Sequence, residues 1–131
     1  MAAAAKARKR ALAPYSKFQV GAALLTSGRK IITGANVESA SYGLTCCAER
    51  VALFTALTSG ARNFTAVAIV GRSLGGPMPC GACRQLLAEY APRARVWVAD
   101  SRALRTVSEY TVSDLLPAAF LEVPAQPADS D

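Results

Sequence analysis

The sequence predicts an α/β protein, a three-layer α/β/α sandwich built on a mixed five-stranded sheet. Two apolar runs near the start are joined by a Ser-Gly turn, and the later runs alternate between strand and helix patterns. A hairpin followed by helix, strand, helix and strand forms one sheet with helices on both faces. The 131 residues are enough for one domain with its own core.

Five segments have the composition of strands. The first two are rich in small and apolar residues and flank Ser27-Gly28, which marks a hairpin turn. The third, FTAVAIV, is an almost continuous apolar run, which is typical of a strand buried on both faces. The predicted strands are residues 18–26, 30–36, 64–70, 95–99 and 104–107.

Three segments have the pattern of helices. The first stops before Pro14, the second ends at Gly60 and the third stops before Pro92. Ser113-Asp114 is expected to cap a short turn near the end of the chain. The predicted helices are residues 3–12, 47–59 and 80–90.

Residues 1–123 are expected to form a single catalytic domain, followed by a Pro-rich, acidic and disordered tail at 124–131. No apolar run is long enough to span a membrane. The basic start of the chain is not followed by the apolar stretch of a signal peptide, so we expect a cytoplasmic protein.

The net charge of +6 does not by itself indicate a nucleic-acid partner. Aromatic residues make up only 7% of the chain, and they do not alternate with basic residues as a base-stacking surface would require. A solvated helix face explains the charge, so we expect neither a nucleic-acid nor a membrane partner. The basic residues concentrated in the first helix and the turn after it are Lys6, Arg8, Lys9, Arg10 and Lys17.

The chain contains no histidine, and this narrows its chemistry. Catalysis by a Ser-His-Asp triad or a Cys-His pair is excluded. Any zinc must be bound by thiolates or carboxylates, and proton transfer near neutral pH must use a carboxylate, Lys or Cys with a shifted pKa.

The cysteines form a candidate zinc site. Cys80 and Cys83 form a C-x-x-C pair at the start of a helix, a spacing shared by metal sites and redox motifs. Cys47, which also opens a helix, adds a third thiol, and Glu49 follows it closely. Three thiolates with one open position are typical of a catalytic zinc. A fourth ligand, Cys46, would instead make a closed structural site.

Adjacent side chains rarely bind one ion together, so Cys46 is interpreted as a buried small residue. A structural zinc module without catalysis stays open as an alternative. Three thiolates leave the site with a net charge of −1, which helix N-termini and hydrogen bonds from Arg50 could offset. Arg50 could equally be an ordinary surface residue.

Five motifs follow one another along residues 11–120, namely PYSKFQVGAA, GANVESASYGLT, CAER, PCGACRQ and LLPAAF. In these motifs the chain resembles the cytidine deaminase family, in its small tetrameric form. The resemblance implies hydrolytic deamination of cytidine and 2′-deoxycytidine to uridine and 2′-deoxyuridine, with release of ammonia, in pyrimidine salvage. It also implies one Zn²⁺ per subunit and a homotetramer.

The resemblance also implies roles for single residues. Cys47, Cys80 and Cys83 would bind the zinc. Glu49 would move protons, as in other zinc deaminases, and Arg50 would donate hydrogen bonds to the thiolates.

Other positions are implied to bind the nucleoside. Phe18 would line the pyrimidine pocket, and the backbone of Ala48 would contact the edge of the base. Asn36 and Glu38 would hold the 3′-hydroxyl of the sugar, although a turn former and a solvated charge are the simpler interpretations in isolation. The residues expected from neighbouring subunits are Ala40, Ser41, Tyr42 and Phe120, with Phe120 stacking on the base unless it packs on its own core.

Two positions depart from the family pattern, namely Met78 before Pro79 and Cys46 beside the expected ligand. Two related activities also stay open. A blasticidin S-type deaminase would share CAE and PCxxCRQ. A nucleic-acid editing deaminase would be expected to use a histidine ligand.

Overall fold

A five-stranded mixed sheet forms the centre of the structure, a computed structural model that describes residues 1–123. The predicted tail at 124–131 lies outside the described residues. The strands are β1 (Val20–Thr26), β2 (Ile31–Ala35), β3 (Phe64–Gly71), β4 (Arg95–Asp100) and β5 (Ser108–Thr111). The helices are α1 (Ala2–Arg8), α2 (Ala48–Thr58), α3 (Gly81–Tyr90) and α4 (Val112–Leu115), with a short 3-10 helix at Tyr42–Leu44.

The sheet has the strand order β2-β1-β3-β4-β5. β1 pairs antiparallel with β2 and β3, β4 pairs antiparallel with β5, and β3 and β4 are parallel. The parallel pair needs a crossover, and α3 supplies it. Helices α2 and α3 pack on one face of the sheet and α1 on the other. The predicted α/β/α sandwich is therefore confirmed.

Two glycines allow elements that carry the site to approach the sheet closely. At Gly34 in β2, a Cβ atom would collide with the backbone of Ala52 in α2, so only glycine lets α2 rest on this strand. Gly76 has a φ of +91°, and a Cβ there would lie 2.6 Å from the backbone nitrogen of Ala99. The loop that leads to Cys80 is therefore held against the end of β4.

Three segments meet beside the start of α2 through isolated backbone pairs. Leu12 pairs in parallel with Val37, and Val37 pairs antiparallel with Cys46. The N–H of Leu12 donates to the carbonyl of Asn36 at 2.9 Å, and the N–H of Cys46 donates to Val37 at 2.9 Å. These pairs explain why α1 ends at Arg8 rather than at Leu12, since Leu12 is needed in extended backbone.

The predicted fifth strand at 104–107 is wrong. Those residues follow a turn in which the N–H of Ala103 donates to the carbonyl of Asp100, and that of Thr106 donates to Ala103. The strand forms at Ser108–Thr111 instead, where Tyr110 reaches the core and Glu109 accepts a hydrogen bond from the Trp97 indole at 2.7 Å.

The predicted cap of the last turn is also displaced. Thr111, not Ser113, caps α4: its hydroxyl accepts from the N–H of Asp114, whose carboxylate accepts from the N–H of Thr111, both at 3.0 Å. Within the described residues, no helix combines the length and apolar character needed to cross a bilayer.

Candidate metal centre and active site

Three cysteine thiols converge where two helices begin. Cys47 is the N-cap residue of α2, Cys80 is the N-cap residue of α3, and Cys83 lies in the first turn of α3. Their Sγ atoms all lie within 4.8 Å of one another, at 3.7 Å between Cys47 and Cys80 and 3.4 Å between Cys80 and Cys83. A tetrahedral zinc ion takes thiolate ligands in this number and leaves one position open. The donor set therefore fits a catalytic zinc.

The surroundings act in opposite directions on two of the thiols. The pKa of Cys47 falls to about 5, because the Cys83 thiol and the Arg50 guanidinium donate hydrogen bonds to its sulfur. The pKa of Cys83 is raised, first by its hydrogen bond to Cys47 and then by burial. The proton of the Cys83 thiol thus stabilises the Cys47 thiolate, and a cation in place of that proton would stabilise all three thiolates together.

Arg50 contacts the cluster directly. Its Nη2 lies 3.3 Å from the Sγ of Cys47 and 3.4 Å from the carbonyl of Thr45. The pKa of Arg50 is raised by the hydrogen bond to Cys47, so it stays charged. The structure thus places Arg50 against a thiol, and the surface interpretation of this residue is not needed.

Glu49 lies in the first turn of α2 and is only 6% exposed. Burial raises the pKa of its carboxyl to about 7, and the negative charge of Cys47 acts in the same direction. Glu49 is not part of the three-thiol group that could hold a metal. Its side chain lines a cavity that lies beside these thiols. A buried carboxyl that is close to a metal centre without binding it is suited to moving protons.

The cavity beside the thiols has a volume of about 170 Å³ and is here called the base pocket, because the resemblance implies that the pyrimidine lies against Phe18. Its walls are mostly apolar, and both Phe18 and Ala48 contribute to them. Cys46 also lines it and is only partly buried, so the interpretation of Cys46 as a buried residue is corrected. The residues lining the base pocket are Phe18, Val20, Asn36, Thr45, Cys46, Cys47, Ala48, Glu49, Ile69, Pro77, Met78 and Cys80.

A second cavity of about 360 Å³, here called the polar cleft, adjoins the base pocket at Thr45. Of the described residues that line it, Glu38 is the charged one. The pKa of Glu38 is lowered, mainly because the Ser16 hydroxyl and then the Ser16 N–H donate hydrogen bonds to its carboxylate. The residues lining the polar cleft are Tyr15, Ser16, Glu38, Ser39, Tyr42 and Thr45.

Asn36 is 8% exposed and fastens the segment that enters β1. Its Oδ1 accepts from the N–H of Val20, and its Nδ2 donates to the carbonyl of Phe18, both at 2.8 Å. Asn36 therefore holds Phe18 in the wall of the base pocket. The simpler interpretation of Asn36 as a turn-forming residue does not account for these two hydrogen bonds. Asn36 also explains why β1 begins at Val20, two residues later than predicted.

The residues expected to serve a neighbouring subunit are exposed in the single chain. Tyr42 is 79% exposed and lines the polar cleft, while Ala40, Ser41 and Phe120 line neither cavity. Gln85 of the PCGACRQ motif donates to the carbonyl of Phe120 at 2.6 Å. Phe120 is itself 63% exposed, so ordinary packing on its own core does not account for it.

Sequence reasoning assigned no role to Tyr15, Ser16 or Thr45. Tyr15 and Ser16 donate backbone hydrogen bonds to Glu38, and Thr45 lines both cavities. The signal that could have indicated the first two is the PYSKF motif, in which they stand shortly before the pocket residue Phe18.

Proteins of known family match almost the whole chain. A family model described as "Cytidine and deoxycytidylate deaminase zinc-binding region" matches residues 1–99. A cytidine deaminase from Halalkalibacterium halodurans is 50% identical over 118 residues, covering 89% of this chain and 88% of that protein. A blasticidin-S deaminase from Bacillus cereus is 33% identical over 111 residues, covering 78% and 76%.

Solved structures match as well. A crystal structure of cytidine deaminase from Burkholderia pseudomallei has a TM-score of 0.87 at 49% identity, covering 91% of this chain and 94% of that chain. A crystal structure of cytidine deaminase from Mycobacterium tuberculosis has a TM-score of 0.76 at 36% identity, covering 91% and 92%.

Proposed function

Because this chain belongs to the cytidine and deoxycytidylate deaminase family, we propose that it deaminates free cytidine and 2′-deoxycytidine. The products are uridine or 2′-deoxyuridine and ammonia, and the reaction serves pyrimidine salvage. The observation that carries the proposal is the buried Glu49 carboxyl beside three converging thiols in one pocket. The catalytic domain comprises residues 1–123. Its location is cytoplasmic. The four cysteines are free thiols, and the cytoplasm is a compartment that keeps thiols reduced.

The metal is a Zn²⁺ held by Cys47, Cys80 and Cys83. When bound, it supplies a Lewis acid that makes water nucleophilic near neutral pH. The hydrogen bond from Arg50 to Cys47 disperses part of the thiolate charge and so preserves the acidity that the reaction needs.

Glu49 moves the protons of the reaction. Its carboxylate takes a proton from the attacking water and delivers it to the ring nitrogen next to the reacting carbon. It then passes the second proton of that water to the departing amine, which leaves as ammonia. One water is consumed for each ammonia released. The low exposure of Glu49 limits the access of bulk water to this exchange.

The nucleoside occupies both cavities. The base lies in the base pocket against Phe18, with its edge at the backbone of Ala48, the first residue of α2. The sugar extends into the polar cleft, where Glu38 accepts a hydrogen bond from the 3′-hydroxyl. Asn36, which lines the base pocket, holds the 3′-hydroxyl together with Glu38 and also keeps Phe18 in place.

Substrate choice tests this arrangement. Among the described residues neither cavity is lined by Lys or Arg, and Glu38 carries a negative charge, so a 3′-phosphate would be repelled. We expect kcat/KM for cytidine 3′-monophosphate to be at least about a hundredfold below that for cytidine, a loss of roughly 2.7 kcal/mol. The loss of the cytidine absorbance band measures both rates.

The same assay decides between related activities. Rapid turnover of blasticidin S with none of cytidine would contradict the proposal, as would equal activity on single-stranded DNA. Equal rates for cytidine and its 3′-monophosphate would contradict only the placement of the sugar beside Glu38.

The active form is a homotetramer in which each site is completed by neighbouring chains. Apolar side chains stay exposed around the polar cleft, and such a patch is typical of an interface. Ala40, Ser41, Tyr42 and Phe120 are the residues contributed to a neighbour. The exposed apolar residues around the cleft are Leu12, Tyr15, Val37, Tyr42 and Leu44, at 63, 55, 43, 79 and 74%.

Mixed oligomers test the contribution of Phe120. A Phe120→Ala chain lacks the stacking ring, and a Glu49→Gln chain lacks the proton carrier. If Phe120 serves a neighbour, co-expressed chains recover activity, because a site with an intact Glu49 can receive an intact Phe120 from the other chain. We expect the mixture to exceed the mean of the two separate variants by about tenfold, measured per zinc.

Light scattering during gel filtration supplies the control, with a mass of four chains expected for each variant. Activity equal to the mean of the two variants would show that Phe120 acts within its own chain.

A further inference from the structure

Ser16 lies at the centre of a hydrogen-bond network that joins the two cavities. Its hydroxyl donates to Oε2 of Glu38, and its backbone N–H donates to Oε1 of Glu38 at 3.0 Å. The same hydroxyl oxygen accepts from the N–H of Phe18 at 3.0 Å. One exposed serine therefore contacts both the carboxylate of the polar cleft and the backbone of a base-pocket residue.

The hydrogen bonds to Glu38 leave little of its capacity free. An ionised carboxylate offers about four acceptor positions. The N–H groups of Tyr15 and Ser16 both donate to Oε1, and the Ser16 hydroxyl donates to Oε2. One position on Oε2 is then left for a further donor, which suits a single hydroxyl group of a ligand.

The opposite side of the Phe18 peptide is also held. Its carbonyl accepts from Nδ2 of Asn36 at 2.8 Å, while its N–H donates to Ser16. The chain of contacts therefore runs from Glu38 through Ser16 and Phe18 to Asn36. Ser16 is the link between the carboxylate and the Phe18 backbone.

We propose that Ser16 is a positioning residue, whose hydroxyl orients the Glu38 carboxylate for one sugar hydroxyl and couples it to the Phe18 backbone. The proposal rests on the role of Glu38 proposed above. Ser16 acts through Glu38 and Phe18 rather than on the reacting atoms. Its loss therefore weakens binding of the sugar and leaves the chemical step unchanged.

Ser16→Ala removes the hydroxyl and keeps both backbone hydrogen bonds to Oε1. We expect KM for cytidine to rise about tenfold, since one hydrogen bond to a charged group is lost, and kcat to stay within about twofold. Ser16→Thr keeps a hydroxyl at this position and should restore most of the KM. Ser27→Ala, an exposed serine in the β1–β2 turn, is the matched control and should change neither constant.

The decisive comparison uses 3′-deoxycytidine, which lacks the group that Glu38 would hold. For this substrate, Ser16→Ala should change KM by less than about twofold, because Asn36 still holds the Phe18 backbone through its carbonyl. A tenfold rise for both substrates, or a fall in kcat at constant KM, would overturn the proposal. Thermal unfolding and zinc content, measured on each variant, exclude loss of fold as the cause.

Measurements on the wild-type protein distinguish a failure of the sugar role of Glu38 from a failure of the positioning role of Ser16. If wild type binds 3′-deoxycytidine as well as cytidine, the sugar role of Glu38 fails, and the role of Ser16 fails with it. If wild type prefers cytidine and Ser16→Ala weakens both substrates equally, only the role of Ser16 fails.

Discussion

Glu49→Gln is expected to lower kcat for cytidine by about 10⁴-fold while leaving zinc content and fold unchanged. Glutamine has nearly the same shape as glutamate and fits the same buried position in the first turn of α2. It cannot accept a proton from water or deliver one to the ring or the amine. The thiols are untouched, so the capacity to bind metal stays.

Three measurements on the purified protein check this result: single-turnover deamination, zinc per chain and thermal unfolding. Glu89→Gln is the matched control, because Glu89 is an exposed glutamate near the end of α3 and lines neither cavity. An active Glu49→Gln variant would contradict the proton-transfer role. Loss of zinc in the same variant would indicate instead that Glu49 binds or supports the metal.

Much of the fold is predictable because local patterns encode it. The apolar run of β3 and the Ser27-Gly28 turn are signals carried by neighbouring residues, and both predict the elements that form. The fifth strand is different, because LRTV and SEYT are equally plausible strands locally. The choice depends on how many residues the turn after Asp100 takes up and on which residues then pair with β4, and the pairing joins residues up to 16 positions apart, Arg95 and Thr111.

The candidate site also has one part that local sequence patterns predict and one part that they do not. The thiols and Glu49 are close in sequence to helix starts, so the C-x-x-C spacing and the CAE motif are enough to predict a shared centre. The contacts of Glu38 are different, since its partners Tyr15 and Ser16 lie 23 and 22 residues away. They meet only because Leu12, Val37 and Cys46 align three segments, and no local pattern encodes that alignment.

A matched pair of serine substitutions at adjacent cysteines is expected to have opposite outcomes. Cys47→Ser should reduce zinc from about one ion per chain to near zero and abolish deamination, because a hydroxyl does not replace a thiolate ligand. Cys46→Ser should keep the zinc and change kcat by less than about threefold. The two variants differ only in which neighbour loses its sulfur, so general effects of the substitution cancel.

The positions of the two thiols explain why the zinc content of the two variants should differ. The Sγ of Cys47 lies 3.7 Å from that of Cys80 and receives the hydrogen bond from Arg50, whereas Cys46 is outside the group of converging thiols. The backbone of Cys46 is committed to Val37 through two hydrogen bonds. Its thiol lines the base pocket, so its loss should alter the pocket surface slightly and leave the metal alone.

Metal analysis by mass spectrometry, after dialysis against a weak chelator, measures the zinc content of each variant, and circular dichroism confirms that both are folded. Zinc loss in the Cys46→Ser variant would mean that the ion has four thiolate ligands. A closed site of that kind has no open position for water, and the catalytic proposal would then be wrong together with the ligand assignment. Retention of zinc by Cys46→Ser and its loss by Cys47→Ser leave one open position, which is the condition that hydrolysis at this centre requires.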